Sequence, residues 1–302
     1  PLYVDSCAED KVKKVITITA YDAIQKAGAK KIKELPEIAY PVTVKAYLLA
    51  VCALAGLTYD GGDFLGADRQ LESPPNLSGE ETAWKVLECI AEAALCNGVI
   101  NRAGKLTLVP VVRPADEAAY TITSDDYMEL ISGEPYGPVN RLVLARKPQD
   151  DIVYREDAES VAEDGLTELV IADNPILDYG ATDHRPDVIG QLYDNIHGLT
   201  LWTYTAKLYG NPAIDCGDKL VLYDVQDNPP TTIYCNETLT FNGGLQADAA
   251  LSAPSKEQAA NTKNGITVRD AVKRTEIRVD KVEGEITSIA QKTDGDVSNL
   301  YS

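Results

Sequence analysis

The sequence is short of the residues on which hydrolytic chemistry most often depends. Its 302 residues include two histidines, His184 and His197, and neither is accompanied by a serine-elbow or cysteine-nucleophile motif that would make it a general base. Methionine occurs once, at Met128, and the chain opens at Pro1, so the sequence is expected to be a processed or partial product from which targeting signals have been cut away. No run approaches the roughly twenty apolar residues that a membrane span requires; "KAYLLAVCALAGL" is too short and too well bounded. The six cysteines, Cys7, Cys52, Cys89, Cys96, Cys216 and Cys235, include no Cys-x-x-Cys pair and no histidine cluster stands beside them. Cys89 and Cys96 lie too far apart along one expected helix to be bridged. All six are therefore expected to be small buried hydrophobes of a reducing compartment. Basic residues are scarce too: 28 against 47 acidic, a formal net charge of -19. That balance repels phosphate backbones and anionic lipid, and disfavours nucleic acid as a partner.

What remains is globular. Apolar residues make up 44% of the chain and charged residues 25%, enough for a core, and the length predicts two or three domains. "KKVITITAYDAIQKAGAKKI" alternates from Val15 to Thr19 as a strand and turns to helical spacing after Tyr21. "YPVTVKAYLLAVCALAGL" reads as a buried helix with Thr43 as cap and Gly56 as stop. In "SGEETAWKVLECIAEAALCNG", Ser78 and Glu81 give a capping-box signature, Trp84, Leu87, Ile90, Ala91, Ala94 and Leu95 an apolar face, and Gly98 an end. "VINRAGKLTLVPVV" follows as a hairpin turning at Ala103 and Gly104.

From "GPVNRLVLARKP" onward strands dominate, interrupted by one helix in "HRPDVIGQLYDNIHGL" with Val188, Leu192 and Ile196 on one side. The strands "LTLWTYTAKLYG", "DKLVLYD", "TTIYCNETLTF" and "LQADAALSA" predict a small antiparallel barrel or sandwich. Trp202, Tyr204, Ala206 and Leu208 alternate with polar residues and should share the buried face. After the polar "PSKEQAANTKNG", the residues Val268, Val272, Val279, Val282, Ile286 and Ile289 recur at heptad spacing, with Thr275 filling the one long gap. β-branched residues at both core positions favour three or more strands over a parallel dimer, so these six are the candidate oligomerisation residues.

The acidic residues offer little organised chemistry. Asp60, Asp63 and Asp68 in "YDGGDFLGADR" lack the ligand spacing and closing glutamate of an EF-hand, and no lysine follows the glycines at P-loop spacing. "TSDDYMEL" and "YREDAESVAEDG" are the densest carboxylate stretches and read as solvated faces. No catalytic, cofactor-binding or metal-ligating residue is therefore expected.

Several pieces taken in order resemble the tail-hub proteins of bacteriophages: the prophage tail protein family of Gram-positive siphophages, related in fold to the baseplate hub of contractile tails. The pieces are "YVDS" followed by "ITITAYDAI", then "TAWKVLECIAEAALCNGVINRAGKLTLVPV", "DNPIL", "GNPAIDCGDKLVLYD", "LTFNGGLQADAALSAPS" and "VEGEITSIAQKTDGDVSNL". The resemblance places a further strand region before "YVDS". It implies an α+β chain: two barrel-like, mainly antiparallel β domains with helical insertions, over 1–115 and 116–253, a linker over 254–264 and a coiled-coil stalk over 265–302. It also implies a homotrimeric, non-enzymatic hub at the virion tail tip, made in the bacterial host cytoplasm. Such a hub joins other tail proteins (tail tube or distal tail protein, and tape measure) and reaches the host surface indirectly. Two other classes stay open: a cell-wall-degrading tail enzyme, and a glycan-binding adhesin whose tyrosines and tryptophans would stack on sugar rings.

Overall fold

A computed structural model describes residues 2–12, 14, 16–112, 117, 119–146, 151–223, 231–241 and 244–251, with the backbone alone of Val15 and of 266–267, 276–282 and 285–291. β1 (Tyr3–Asp10) and β2 (Val15–Tyr21) pair as an antiparallel ribbon with a bulge at Asp5, and α1 (Ile24–Ala29) follows directly. β3 (Val42–Thr43) leads into α2 (Val44–Ala55) and pairs with β4 (Gln70–Leu71).

Both ends of α2 follow from its sequence. Thr43 Oγ1 accepts the Ala46 N–H at 3.1 Å, and Gly56 closes the helix at φ +66°, where a side chain would be strained. Val44, Tyr47, Leu48, Val51, Cys52 and Ala55 are buried on the face the periodicity defines. Each of the larger aliphatic side chains there contributes roughly 1.5–3 kcal/mol.

α3 (Ala83–Ala93) starts later than the capping-box signature suggests. Glu81 does hold the Ser78 and Gly79 N–H groups, but it does so across a turn, and Thr82 is the cap that accepts the Lys85 N–H at 3.1 Å. The helix also ends before Gly98: Leu95 takes φ +53°, and Gly98 lies inside β5 (Cys96–Ile100), which pairs with β6 (Leu106–Pro110).

The next elements are β7 (Tyr120–Ile122), β8 (Tyr127–Tyr136), β9 (Arg141–Arg146), β10 (Asp151–Glu156), α4 (Ala158–Asp164), β11 (Glu168–Ala172) and α5 (Arg185–Ile196). β9 pairs antiparallel with β10 and parallel with β11. Buried Asn140 fixes that crossover: its Nδ2 donates to the Gly165 carbonyl at 2.7 Å and its Oδ1 accepts the Thr167 N–H at 2.8 Å. The chain ends in β12 (Leu201–Tyr209), β13 (Lys219–Leu222), β14 (Thr231–Ile233), β15 (Thr238–Phe241), β16 (Leu245–Leu251), β17 (Ile266–Thr267), β18 (Glu276–Val282) and β19 (Glu285–Gln291). "TTIYCNETLTF" thus yields two strands rather than one, broken where Asn236 adopts φ +48°.

Two buried apolar clusters organise the molecule. The first gathers α1, α2, α3, β5 and β6 with β9, β11 and α5, so it draws residues from both sides of position 115. The second lies between the sheet β18–β19–β15–β16–β12–β8 and the sheet β14–β13–β7. Tyr204, Ala206 and Leu208 face it from β12, and Ala247, Ala249 and Leu251 from β16, whereas Trp202 is half-buried outside it. β8 comes so close to β12 that a side chain at Gly133 would collide with Thr203 Oγ1, at 2.1 Å from the added Cβ. The fold is α+β with mainly antiparallel sheets and few helices. Among the described residues no sheet closes on itself, so open sheets stand where two barrels were expected; β8 forms an edge rather than meeting a further strand.

The candidate stalk segment is described only in part. β18 and β19 pair as an antiparallel hairpin with Val279 opposite Ser288 and Lys281 opposite Ile286. The physical reason is in the residue types: Ile277, Val279, Val282, Ile286, Thr287 and Ile289 are β-branched, which lowers helix and raises strand propensity. Val268 and Val272 lie outside the described residues.

Candidate interaction surfaces

The residues that the sequence offered for chemistry are held apart. His184 stacks on Tyr179, with ring centroids 4.3 Å apart at 12°. His197 follows the last residue of α5, and its Nε2 meets Asp157 Oδ2 at 3.0 Å while its ring leans on Tyr193. Asp157 is engaged as the cap of α4, where its Oδ1 accepts the Glu159 and Ser160 N–H groups. Those backbone donors, chiefly the Ser160 N–H, and then His197 hold its carboxyl below the usual value. The Ser160 hydroxyl donates to Asp164 rather than to His197, so the three do not form a relay.

Asp60 is spent on its own turn and on Thr107: Oδ1 accepts the Gly62 N–H at 2.9 Å and Oδ2 the Thr107 hydroxyl at 2.7 Å. Asp63 points away to an exposed pair with Lys45. Among the described residues no three His, Cys, Asp or Glu side chains converge as a metal site would require. Cys52, Cys89, Cys96 and Cys235 are buried, and burial pushes the Cys52 and Cys96 thiols up to about 12, which leaves them unreactive thiols. Cys7 is exposed, and none of the six is in a disulfide.

The most organised polar cluster is one that sequence reasoning missed. Arg185, 1% exposed, opens α5 and grips Asp183 through Nε and Nη2, both at 2.9 Å. Its Nη2 also reaches Asp151 Oδ1 at 2.7 Å, and Nη1 donates to the Asp151 and Leu144 carbonyls. Arg146 completes the chain by pairing with Asp151 and Asp178. Arg185 thereby holds the Asp151 and Asp183 carboxyls below their usual values. The cluster, two arginines against three aspartates, ties the N-terminus of α5 to β9 and β10. Its sequence signal, an Asp-x-Arg pair ahead of a helix, is common.

Exposed apolar surface is distributed unevenly. Leu2, Val4, Val12, Ile16 and Ile18 are all exposed, in the first eighteen residues alone. In the register of the ribbon, Val4, Cys7, Glu9, Ile16, Ile18 and Ala20 fall on one face, and Ser6, Ala8, Thr17 and Thr19 on the other. At the base of the ribbon a cavity of about 460 Å³ is lined by Tyr21, Asp22, Ile24, Gln25, Gly28, Ala29 and Trp84. Burial raises the Asp22 carboxyl there, and its Oδ1 accepts the Ile24 N–H at 2.8 Å. A second exposed group lies on the outer side of the six-stranded sheet: Met128, Ile131 and Tyr209. Ile131 stands opposite exposed Thr205, and Gln246, opposite Tyr209, reaches the Met128 sulfur at 3.9 Å.

Comparison with solved structures finds the same architecture in a tail protein from Neisseria meningitidis. It aligns with 82% of this chain and 78% of its own at a TM-score of 0.51 and 12% identity. The chain has a tail-protein fold. A 43 kDa prophage tail protein from Shewanella oneidensis aligns at a TM-score of 0.49 and 12% identity, covering 82% of this chain and 75% of that one. A prophage tail protein from Listeria monocytogenes aligns at 0.46 and 10% identity over 86% and 80%. The first of these carries the fold assignment. No family model matches the sequence, and no curated protein matches it either. No helix of the described residues is long and apolar enough to cross a membrane.

Proposed function

We propose that this chain is a structural subunit of a phage or prophage tail tip, a threefold hub that adapts the tail tube to the host-facing end. The observation that carries the reading is the tail-protein fold, which extends over 82% of the chain. The scattered positions of His184, His197 and the acidic loops support a binding role over an enzymatic one. Partners in this reading are two further copies of the chain and neighbouring tail proteins, and the host surface is reached through them. The division into hub domains over 1–115 and 116–253 belongs to the same proposal.

The stalk is its finest part. It requires the segment bearing Val268, Val272, Val279, Val282, Ile286 and Ile289 to leave its hairpin and bundle with the same segment of two other copies. The heptad spacing supports this because a lone helix would leave such a seam exposed, whereas three copies would bury it. Sedimentation equilibrium on the full chain, with Val279→Cys cross-linking in assembled particles, tests the proposal. A three-chain mass and covalent neighbours at residue 279 are expected. A monomer at every concentration overturns the hub, and dimers alone overturn the threefold arrangement.

A further inference from the structure

The β1–β2 ribbon is amphipathic in the wrong sense for its own chain. Near its base the ribbon is covered on both faces, with Ala20 at 7% and Thr19 at 5% exposed, but beyond the base Val4, Cys7, Ile16 and Ile18, together with Glu9, form an exposed and mainly apolar face, with Val4 at 66% and Ile16 at 54%. β18 runs beside β2 without pairing to it, and among the described residues β1 has no second strand. A two-stranded ribbon with an uncovered apolar face is marginal alone, so the covering surface must come from elsewhere. The tip gives the direction. Lys11 and Lys14 stand at the tip, so a locally acidic patch on a second copy would complement them, against the general repulsion between two chains of net charge -19.

One surface of the chain answers both properties. β8 is the edge of the six-stranded sheet, and its outer edge carries no strand among the described residues. Exposed Met128 and Ile131, with Tyr209 of β12 beside them, supply apolar area, and exposed Asp125, Glu129 and Glu134 supply the opposite charge. Glu129 spends part of its charge on Lys207, at 2.9 Å across the strands, and the other two have exposed side chains. We infer that the β1–β2 ribbon is an exchange arm: its apolar face lies on Met128, Ile131 and Tyr209 of a second copy, with Lys11 and Lys14 against Glu129 and Glu134 of that copy's β8 and Asp125 just before it. This rests on the self-assembly proposed above and names the contact that makes it.

Native Cys7 lies on the docking face and is exposed, so it serves as the probe. Full-length Ile131→Cys protein is oxidised mildly and separated without reductant. Disulfide-linked multimers are expected, and they should vanish when Cys7→Ser is added. In sedimentation equilibrium, Lys11→Glu with Lys14→Glu should weaken self-association by about tenfold or more, the scale of one or two close charge pairs. Adding Glu129→Lys and Glu134→Lys should restore it. If the chain assembles but no Cys7-dependent link between chains forms and the charge reversals leave assembly unchanged, the arm is overturned while the hub stands. A bridge within one chain, from Cys7 to the thiol introduced by Ile131→Cys, would also overturn it, because the arm would then lie on its own sheet. A chain monomeric at every concentration would overturn the arm together with the hub.

Discussion

Two antiparallel ribbons of this molecule share one alternating pattern and have opposite fates. In β12 and β16, Tyr204, Ala206 and Leu208 stand across from Leu251, Ala249 and Ala247, and all six are buried. In β1 and β2, Val4 stands across from Ala20 and Cys7 from Ile18, yet of these four only Ala20, at the base of the ribbon, is buried. Alternation therefore determines which face of a ribbon is apolar, and the rest of the fold determines whether the chain covers that face itself. The contrast separates contacts that stabilise one chain from contacts available to a second.

The covered region should show the largest effects. Arg185→Ala leaves Asp183 and Asp151 without their shared cation and should destabilise the chain by about 3–5 kcal/mol in urea unfolding. Arg102→Ala, which breaks an exposed pair with Asp215, should cost under about 1 kcal/mol. Equal losses would dissolve the distinction between covered and uncovered contacts.

Leu208→Ala should cost about 2–5 kcal/mol by removing a buried side chain from the second cluster. Ile16→Ala, its counterpart on the exposed ribbon, should change single-chain stability by about 0.5 kcal/mol or less. A large loss at Ile16 in dilute protein would mean that the chain covers its own arm.

Tyr204→Phe sharpens the comparison within the covered ribbon. The hydroxyl donates to the Ile233 carbonyl at 3.1 Å and accepts the Cys235 N–H at 3.3 Å, so its removal leaves both buried groups unpaired. A loss of about 1–3 kcal/mol is expected from chemical denaturation.

The Arg185 cluster also predicts an acid limb. Asp183 and Asp151 have folded-state pKa values depressed below the ordinary aspartate value, first of all by hydrogen bonds from Arg185. Their contribution is fully present above that ordinary value and is lost as pH falls through the lower folded values. Glu237 acts with the opposite sign: burial raises its pKa, so its ionisation weakens the fold as pH rises. Asp183→Asn should flatten the acid limb of a stability-against-pH curve below about pH 4, near the ordinary aspartate value. An unchanged acid limb would place its cause outside this cluster.

Much of this fold could be read locally. α2 is written in Thr43, its apolar face and Gly56, and α5 in Val188, Leu192 and Ile196, because caps and helical periodicity act within a few residues. The start of α3 is easily misplaced because Ser78–Glu81 satisfies the same hydrogen-bonding rule on a turn, with Thr82 one residue beyond as the true cap. The closure of the sheets was not legible: alternation marks a strand but does not say whether an edge will meet another edge. The Arg185 cluster was hidden for a related reason, since Asp151 lies 34 residues away and only the fold brings it near. The C-terminal segment remains the ambiguous case, since its β-branched residues fit a heptad seam and a strand hairpin alike.

The central claim is that this tail-protein fold serves as a threefold hub, and the place and number of its copies in assembled particles test it most directly. Electron cryomicroscopy of particles bearing a tagged chain should locate the tag at the tail tip, in a ring of three copies. A tag repeated along the tube, a ring of another order, or its absence from purified particles would contradict the account.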